Sequence, residues 1–356
     1  MTDPTELTGS EPTGPEPTSS LSRLVALGVL LFVVSLAILL GLGAVAQGSG
    51  RKDASSAGMP VSSAAPITGA PPAMSQSAPS APSSPSPEPA PSGDPVLIGA
   101  GDIATCDSDA DSETAALLAG QQGTVFTAGD NAYPDGSASQ FADCYGPTWG
   151  RELARTRPAP GNHDHHTTDL AGYLEYFGAA AAPGGTPWYS YDLGTWHVIV
   201  LDATCDAAGG CSADSEQGRW LAADLATSDA ACTLAVWHQP RFSSGDHGND
   251  PAVAPFWDAL YAARADLIVN GHDHDYERFA PQDPNGAADP GHGIREFVVG
   301  TGGAELRGFG TPAANSEVRI TGTFGVIRLA LHPGAYEWSF LATSGAVPDS
   351  GLGKCH

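Results

Sequence analysis

The sequence is poor in positive charge. Its 356 residues include 15 lysines and arginines against 40 aspartates and glutamates, which gives a formal net charge of −25. From Pro95 onward the chain holds 12 basic and 33 acidic residues, so the acidity belongs to its C-terminal part. A protein that binds nucleic acid as a bulk partner needs a basic surface for the phosphate backbone. The composition therefore argues against nucleic acid as a partner and favours a soluble, cation-attracting C-terminal region.

Several catalytic and structural motifs are also missing. The chain has no GxSxG sequence, which is typical of hydrolases with a serine nucleophile, and no GxxxxGK[ST] phosphate-binding loop. The six cysteines begin at Cys106 and lack the CxxC…CxxC spacing of a structural zinc site. Any chemistry must therefore come from other residue types.

The N-terminal region contains three segments of different composition. Residues 1–23 form a polar tail, and Leu24 to Ala46 is a run of 23 uncharged residues. At 1.5 Å per residue, such a run can cross a hydrocarbon core of roughly 30 Å. Its length predicts an uncleaved signal anchor, whereas the small residues Ala44 and Ala46 leave open a signal peptide cleaved after Ala46. Residues 47–94 are rich in Pro, Ser and Ala, which predicts a disordered linker.

Cysteine usage predicts the compartment. An even number of cysteines, all beyond an export segment, indicates an oxidising environment outside the cytoplasm, at a membrane or secreted. Cys205 and Cys211 close a short CDAAGGC loop, and their spacing predicts a disulfide. Free buried thiols remain the alternative for the cysteines.

Residues 95–356 are numerous enough for one large domain. Apolar runs predict strands at Val96 to Gly99, Thr124 to Ala128, Trp196 to Asp202, Thr233 to Trp237, Ala265 to Asn270, Phe297 to Gly300 and Val326 to Leu331. Helical patterns occupy Ser112 to Leu118, Ser215 to Leu225 and Ala252 to Ala263, and none separates the last two strands. This order predicts an α/β fold with an antiparallel portion.

Polar residues of the types that commonly bind metals follow several of these strands. They are Asp102, Asp130, Tyr133, Asn162, His238, His272 and His274. Loops beyond the carboxyl ends of strands converge on one crevice in open α/β sheets, so we expect the seven side chains to meet there. Glycine precedes most of these residues and allows the chain to turn sharply.

The order of the motifs GD, GDxxY, GNHD, a strand-terminal His and GHDH resembles the calcineurin-like metallophosphoesterases over residues 101–274. Tyr133, three residues after Asp130, and the sequence GHDHDYER from Gly271 to Arg278 are similar to purple acid phosphatases. Ala104 stands where most other members have a histidine, and Tyr133 would fill that vacancy. The resemblance implies a four-layer α/β-β/α sandwich, with two mixed β-sheets flanked by helices. It also implies disulfides Cys106–Cys144 and Cys232–Cys355.

The same resemblance implies a binuclear metal centre. Asp102, Tyr133 and His274 would bind Fe(III), while Asn162, His238 and His272 would bind a divalent ion, either Zn, Fe or Mn, and Asp130 would bridge the two. Carboxylates and a phenolate are hard donors that suit a trivalent ion. Two such ions generate hydroxide for in-line attack on phosphorus.

The expected activity is therefore hydrolysis of small phosphomonoesters, as in acid phosphatases. The resemblance matches His163 to a histidine just behind the metal ligands and His247 to one that faces the substrate, and we expect both to act as protonated imidazoles. A phosphodiesterase or nucleotidase of the same fold and a non-catalytic surface binding module are the alternatives. Membrane contact would occur through residues 24–46 if that segment is retained, and the sequence leaves the oligomeric state open.

For three further residues we expect no direct part in the chemistry. Arg278 is expected to be a structural ion-pair partner rather than a phosphate ligand. His165 and His166 lie in a polar loop, where we expect exposure to solvent.

Overall fold

The computed structural model describes residues 93–356. The predicted tail, the apolar run from Leu24 to Ala46 and nearly all of the predicted linker lie outside the described residues. Between residues 93 and 356, no helix is both long and apolar enough to cross a membrane.

Residues 93–356 form thirteen strands and four α-helices of seven residues or more. The strands are β1 (Val96–Ala100), β2 (Thr124–Ala128), β3 (Thr156–Ala159), β4 (Tyr189–Leu193), β5 (Trp196–Val200), β6 (Cys232–Val236), β7 (Leu267–Asn270), β8 (Tyr276–Phe279), β9 (Arg295–Val299), β10 (Ser316–Ile320), β11 (Gly325–His332), β12 (Ala335–Ala342) and β13 (Asp349–Lys354). The helices are α1 (Ala110–Ala119), α2 (Ala171–Phe177), α3 (Glu216–Thr227) and α4 (Ala254–Ala262). Shorter helical turns occupy Ala138–Gln140, Phe141–Tyr145, Trp149–Arg155, Asp164–His166, Thr168–Leu170, Gly178–Ala180 and Pro251–Val253.

The strands make two mixed sheets. One sheet has six strands in the order β13-β12-β11-β1-β2-β3, and the other has seven in the order β10-β8-β9-β7-β6-β5-β4. Strands β1, β2 and β3 run parallel to one another, as do β5, β6, β7 and β9, while the remaining neighbours are antiparallel. Each sheet therefore has a parallel half whose strand ends can carry a site.

Side-chain alternation on the seven-stranded sheet produces the layers. Val198 and Val200 of β5 pack into a core shared with Leu329 and Phe340 of the other sheet. Ile199, between them, belongs instead to a second core that contains residues of α3 and α4, namely Leu221, Phe256, Trp257 and Leu260. Successive strand residues point to opposite faces, so one face meets the second sheet and the other meets helices.

Helix α1 contacts β11 in the six-stranded sheet. The predicted four-layer α/β sandwich of two mixed sheets with helices is therefore confirmed.

All six cysteines are paired. The disulfides are Cys106–Cys144, Cys205–Cys211 and Cys232–Cys355, and none of the described cysteines is free. The structure thus has the expected pairs rather than free thiols. Cys232 begins β6 and Cys355 follows β13, so this bond joins the two sheets covalently.

Candidate metal centre

The seven predicted ligands all lie just beyond the carboxyl ends of parallel strands. Asp102 follows β1, Asp130 and Tyr133 follow β2, Asn162 follows β3, His238 follows β6, and His272 and His274 follow β7. The loops after β1 and β2 are bound together, because the Asp102 amide donates to the Gly129 carbonyl oxygen at 3.1 Å. Both sheets therefore contribute residues to one crevice, as the sequence predicted.

Tyr133 lies at the centre of one half of this cluster. Its hydroxyl oxygen is 2.8 Å from Asp102 Oδ1, 3.0 Å from Asp130 Oδ2 and 3.2 Å from His274 Nε2. The Tyr133 amide donates to the Ala104 carbonyl oxygen at 2.8 Å, so the backbone at Ala104 holds the tyrosine in place. Asp102, Asp130 and His274 are almost completely buried.

Asp130, His238 and His272 form the other half. His238 Nε2 lies 3.1 Å from Asp130 Oδ2 and 3.2 Å from His272 Nδ1. The ligand atoms of these three residues all lie within 4.8 Å of one another, close enough to hold one metal ion. His238 Nδ1 donates to the Ala128 carbonyl oxygen at 2.8 Å, which directs Nε2 towards the crevice.

The backbone around the carboxylates is tightly constrained. Asp102 and Asp130 have φ values of 60° and 50°, a conformation that residues with a Cβ atom rarely adopt. Gly161 comes so close to Asp130 that a Cβ atom would lie 2.2 Å from Asp130 Oδ1. At Gly129, where φ is 82°, a Cβ atom would lie 2.5 Å from His238 Nδ1. Strained backbone of this kind clusters at functional sites.

The donor set fits cations. The single Tyr133 hydroxyl hydrogen can go to only one of the two carboxylate oxygens, so the other carboxylate faces the hydroxyl oxygen with no hydrogen between them. His274 Nδ1 is buried and has no hydrogen-bond partner within residues 93–356. Clustered buried carboxylates and imidazoles are costly unless a positive charge lies between them. The clustered residues therefore fit a bound metal cation.

The pKa values show how strongly these groups interact without a cation. Burial alone lowers the pKa of His238, but Asp130 and Asp102 outweigh it and raise the pKa to about 10. Burial and the neighbouring His238 lower the pKa of His272 to about 3. Burial, together with the charges of Asp102 and Asp130, raises the pKa of Tyr133 well above its usual range. A phenolate at Tyr133 therefore requires a cation beside it.

Asn162 is less closely associated with the cluster. Its amide oxygen accepts a hydrogen bond from Gln239 Nε2 at 3.4 Å, and no hydrogen bond within residues 93–356 joins it to the other six side chains. It is nevertheless next to Gly161, whose backbone lies against Asp130. Asn162 thus lies beside the crevice, and its described hydrogen bond is to Gln239 rather than to another proposed ligand.

His163 and His247 flank the cluster on opposite sides. The His163 ring packs against Tyr133 with ring centroids 4.4 Å apart, and the His247 ring stacks on His272 at 4.2 Å. His247 Nε2 lies 2.5 Å from Arg307 Nη1. Arginine can only donate, so the Arg307 guanidinium is the donor in this contact. The role of His247 as a protonated imidazole stays a prediction.

The loop histidines are not both exposed. The His166 side chain is 49% exposed, as expected, but that of His165 is only 11% exposed. His165 Nε2 lies 2.9 Å from Asp202 Oδ2, beyond the end of β5, so the prediction of exposure is wrong for His165. Arg278 Nε donates to Asp349 at 2.8 Å, which agrees with its predicted structural ion pair.

Two buried carboxylates that the sequence did not single out hold the ligand loops. Asp164 Oδ2 accepts from the Gly161 amide at 2.9 Å and from Asn131 Nδ2 at 2.9 Å. Asp273 Oδ1 accepts from the His247 amide at 2.8 Å. Asp164 ends the GNHD motif and Asp273 lies between His272 and His274 in GHDH, so membership in these motifs was the available signal.

A cleft of about 440 Å³ opens onto the cluster. Its walls include Tyr133, His163 and His274, together with Asp107, Glu305 and Arg307. A cleft of about 480 Å³ beside His197 contains none of the seven proposed ligands, so its size does not indicate a reaction site. The sequence motifs did not reveal Arg307 either, because it lies outside them, in the loop after β9.

The chain is similar to known proteins. The sequence model of the calcineurin-like phosphoesterase family matches residues 96–276, about half of the chain. The chain is 35% identical over 146 residues to the protein Rv2577 of Mycobacterium tuberculosis, covering 35% of this chain and 28% of that protein. It is 30% identical over 192 residues to purple acid phosphatase 22 of Arabidopsis thaliana, covering 46% and 42% respectively.

The fold is also similar to a solved structure, the purple acid phosphatase PPD1 from yellow lupin. The TM-score is 0.58 at 20% identity, covering 75% of this chain and 55% of that one. The chain spans less than half the length of the two curated relatives named above. With the family match and this fold, the chain belongs to the calcineurin-like phosphoesterases and lies close to the purple acid phosphatases.

Proposed function

We propose that this protein is a binuclear, metal-dependent hydrolase of small phosphomonoesters. The observation that carries the proposal is the convergence of buried electron-pair donors at Tyr133, where two carboxylates and an imidazole surround one hydroxyl. Asp102, Tyr133 and His274 would hold Fe(III). His238, His272 and Asn162 would hold Zn, Fe(II) or Mn(II), and Asp130 lies between the two groups, in contact with Tyr133 and His238.

When bound, the two ions would supply Lewis-acid activation of water and neutralise charge on the phosphate oxygens. The protein's own contribution is to hold the ligands rigidly. Asp102 Oδ2 accepts from the His272 amide at 2.8 Å, so one carboxylate couples the loops of both sheets. Fixed donors of this kind need no rearrangement during the reaction.

His163 is placed to manage a proton. Its Nδ1 donates to the Pro134 carbonyl oxygen at 2.6 Å, because a carbonyl can only accept. Nε2, 3.9 Å from Asp130 Oδ2, is therefore the atom that can exchange a proton in the cleft. As the ester P–O bond breaks, a proton on Nε2 can pass to the leaving oxygen.

We also propose that the protein works outside the cytoplasm. Three disulfides are typical of an oxidising compartment. The apolar run from Leu24 to Ala46 would provide either an anchor or an export signal.

The decisive experiment measures phosphate release by the full-length chain from an aryl phosphomonoester and from its diester, across pH, before and after metal removal. Monoester hydrolysis that disappears with the metals and returns on their addition supports the proposal. Faster diester hydrolysis would indicate a phosphodiesterase instead. Folded, metal-bound protein that hydrolyses neither ester would contradict the proposed reaction.

A matched pair of variants tests the ligands. His272→Ala should lose metal and at least about 100-fold in activity, since even residues behind the ligands contribute 10- to 100-fold. His292→Ala, at an exposed histidine, should retain both. Normal activity and metal content in folded His272→Ala would show that the ligand assignment is wrong.

A further inference from the structure

Arg307 joins the two halves of the metal cluster at the mouth of the cleft. Its amide donates to the His274 carbonyl oxygen at 2.9 Å, and its carbonyl oxygen accepts from Thr321 at 2.6 Å. Its side chain lines the cleft together with Tyr133 and reaches His247, which stacks on His272. The guanidinium thus lies beside residues that belong to both proposed metal sites.

The charge of this residue is unusual in its surroundings. Among the residues that line the cleft within 93–356, Arg307 is the only arginine or lysine. The C-terminal region is strongly acidic, and Asp107 and Glu305 lie in the same cleft. A guanidinium keeps its charge at any pH at which the protein is folded, so Arg307 supplies fixed positive charge in this cleft.

Two donor nitrogens of Arg307 are hydrogen-bonded to Glu305, a partner that an anion can replace. Nε and Nη2 donate to Glu305 Oε1 at 2.9 and 2.6 Å, and the Glu305 side chain is 66% exposed. An exposed ion pair of this kind contributes little stability. A guanidinium also presents paired donors that match phosphate oxygens.

We propose that Arg307 binds the phosphoryl oxygens of the substrate and thereby selects dianionic phosphomonoesters over monoanionic diesters. This inference rests on the proposed function. Glu305 occupies the same donors when no substrate is bound and competes with phosphate for them. A dianionic monoester has one more negative charge than a diester. In a diester, a second ester group takes the place of one charged oxygen that could face the guanidinium.

The test uses Arg307→Gln, Arg307→Lys and Glu305→Gln in the full-length, metal-bound chain, with Arg219→Gln on the exposed surface of α3 as the control. The measurements are the Kd of inorganic phosphate by calorimetry, and kcat/KM for an aryl monoester and its diester. Metal content is determined for every variant.

Arg307→Gln should weaken phosphate binding and lower monoester kcat/KM by about 10- to 100-fold, the range for a hydrogen bond to a charged group. Diester kcat/KM should fall by less than about threefold. Arg307→Lys should recover part of the loss, because it keeps the charge without the paired donors. Glu305→Gln should bind phosphate more tightly than the wild type.

A purely structural role for the ion pair predicts a different pattern. In that case Arg307→Gln and Glu305→Gln would change the Kd of phosphate in the same direction. The kcat/KM values for the monoester and the diester would also fall equally. This pattern would overturn the inference. Wild-type protein that binds no phosphate would overturn it as well. Arg307-dependent phosphate binding without ester hydrolysis would support the inference while contradicting the proposed reaction.

Discussion

His163 donates its Nδ1 hydrogen to the carbonyl oxygen of Pro134 at 2.6 Å. The same carbonyl oxygen lies 3.1 Å from His166 Nδ1. This contact fixes which nitrogen of His163 faces the cleft, because Nδ1 is occupied and Nε2 is free. The two rings differ in what lies beyond that contact, because His163 Nε2 is 3.9 Å from the buried Asp130 Oδ2.

We expect His163→Gln to lower kcat by an amount that depends on the leaving group of the ester. General acid catalysis is typically worth about 10²- to 10⁴-fold, and a poor leaving group needs it most. Hydrolysis of an alkyl phosphate should therefore fall by about 100-fold or more, and that of a nitrophenyl phosphate much less. Steady-state kinetics with both esters measures the difference. His166→Gln, in the same loop, serves as the control, and equal losses for both esters in His163→Gln would rule out proton donation.

Tyr133→Phe should abolish visible absorption from the metal centre. A phenolate bound to Fe(III) gives a charge-transfer band, and Tyr133 is the phenol that contacts both Asp102 and Asp130. Absorption spectra of iron-loaded protein test this directly. Tyr145→Phe is a matched control, because the buried Tyr145 hydroxyl has no partner within residues 93–356. A band that survives in Tyr133→Phe would exclude this tyrosine as the iron ligand.

Asp164→Ala should destabilise the protein by about 3 kcal/mol, since it leaves buried donors of Gly161 and Asn131 without an acceptor. Burial, together with the nearby Asp130, raises the pKa of Asp164 to about 7. Asp164→Asn keeps one acceptor oxygen and should cost less. Urea unfolding of both variants gives the comparison. Equal losses would mean that the hydrogen bonds at this position contribute nothing.

His197 provides a prediction on pH that is separate from the metal centre. Its Nε2 lies 2.8 Å from Asp224 Oδ2 and its Nδ1 lies 3.1 Å from Asp192 Oδ1. The hydrogen bond to Asp224 outweighs burial and raises the pKa of His197. A raised pKa in the folded state gives stabilisation that is complete below the unfolded value of about 6.5 and disappears as pH rises through the folded value.

The free energy of unfolding should therefore differ most between the wild type and His197→Gln near pH 6, and the difference should shrink towards pH 9. Chemical denaturation at several pH values measures it. Ser190→Ala removes a neutral partner of Asp224 and should have a cost that does not vary over this range. A constant or growing difference for His197→Gln would contradict the pKa shift.

The sequence predicted the buried central strands well and the peripheral strands poorly. Continuous apolar runs marked β2 and β6 to within one residue, because both are buried on two faces. Strand β10 reads SEVRI and β13 reads DSGLGK, and both lie at sheet edges with exposed positions. A half-exposed edge strand carries no apolar run, so its pairing depends on neighbours that the local sequence does not contain.

The sequence by itself determined which donor groups the crevice contains, because glycine-led turns after strands encode local backbone geometry. The tertiary structure alone decided how those groups interact. His247 and Arg307 are 60 positions apart, and only packing of the loop after β9 brings them together. Packing of the loop after β3 against those after β6 and β5 sets the contact of Asn162 with Gln239 and the burial of His165 against Asp202. Contacts between distant segments follow from how the layers close over one another, and no local pattern specifies them.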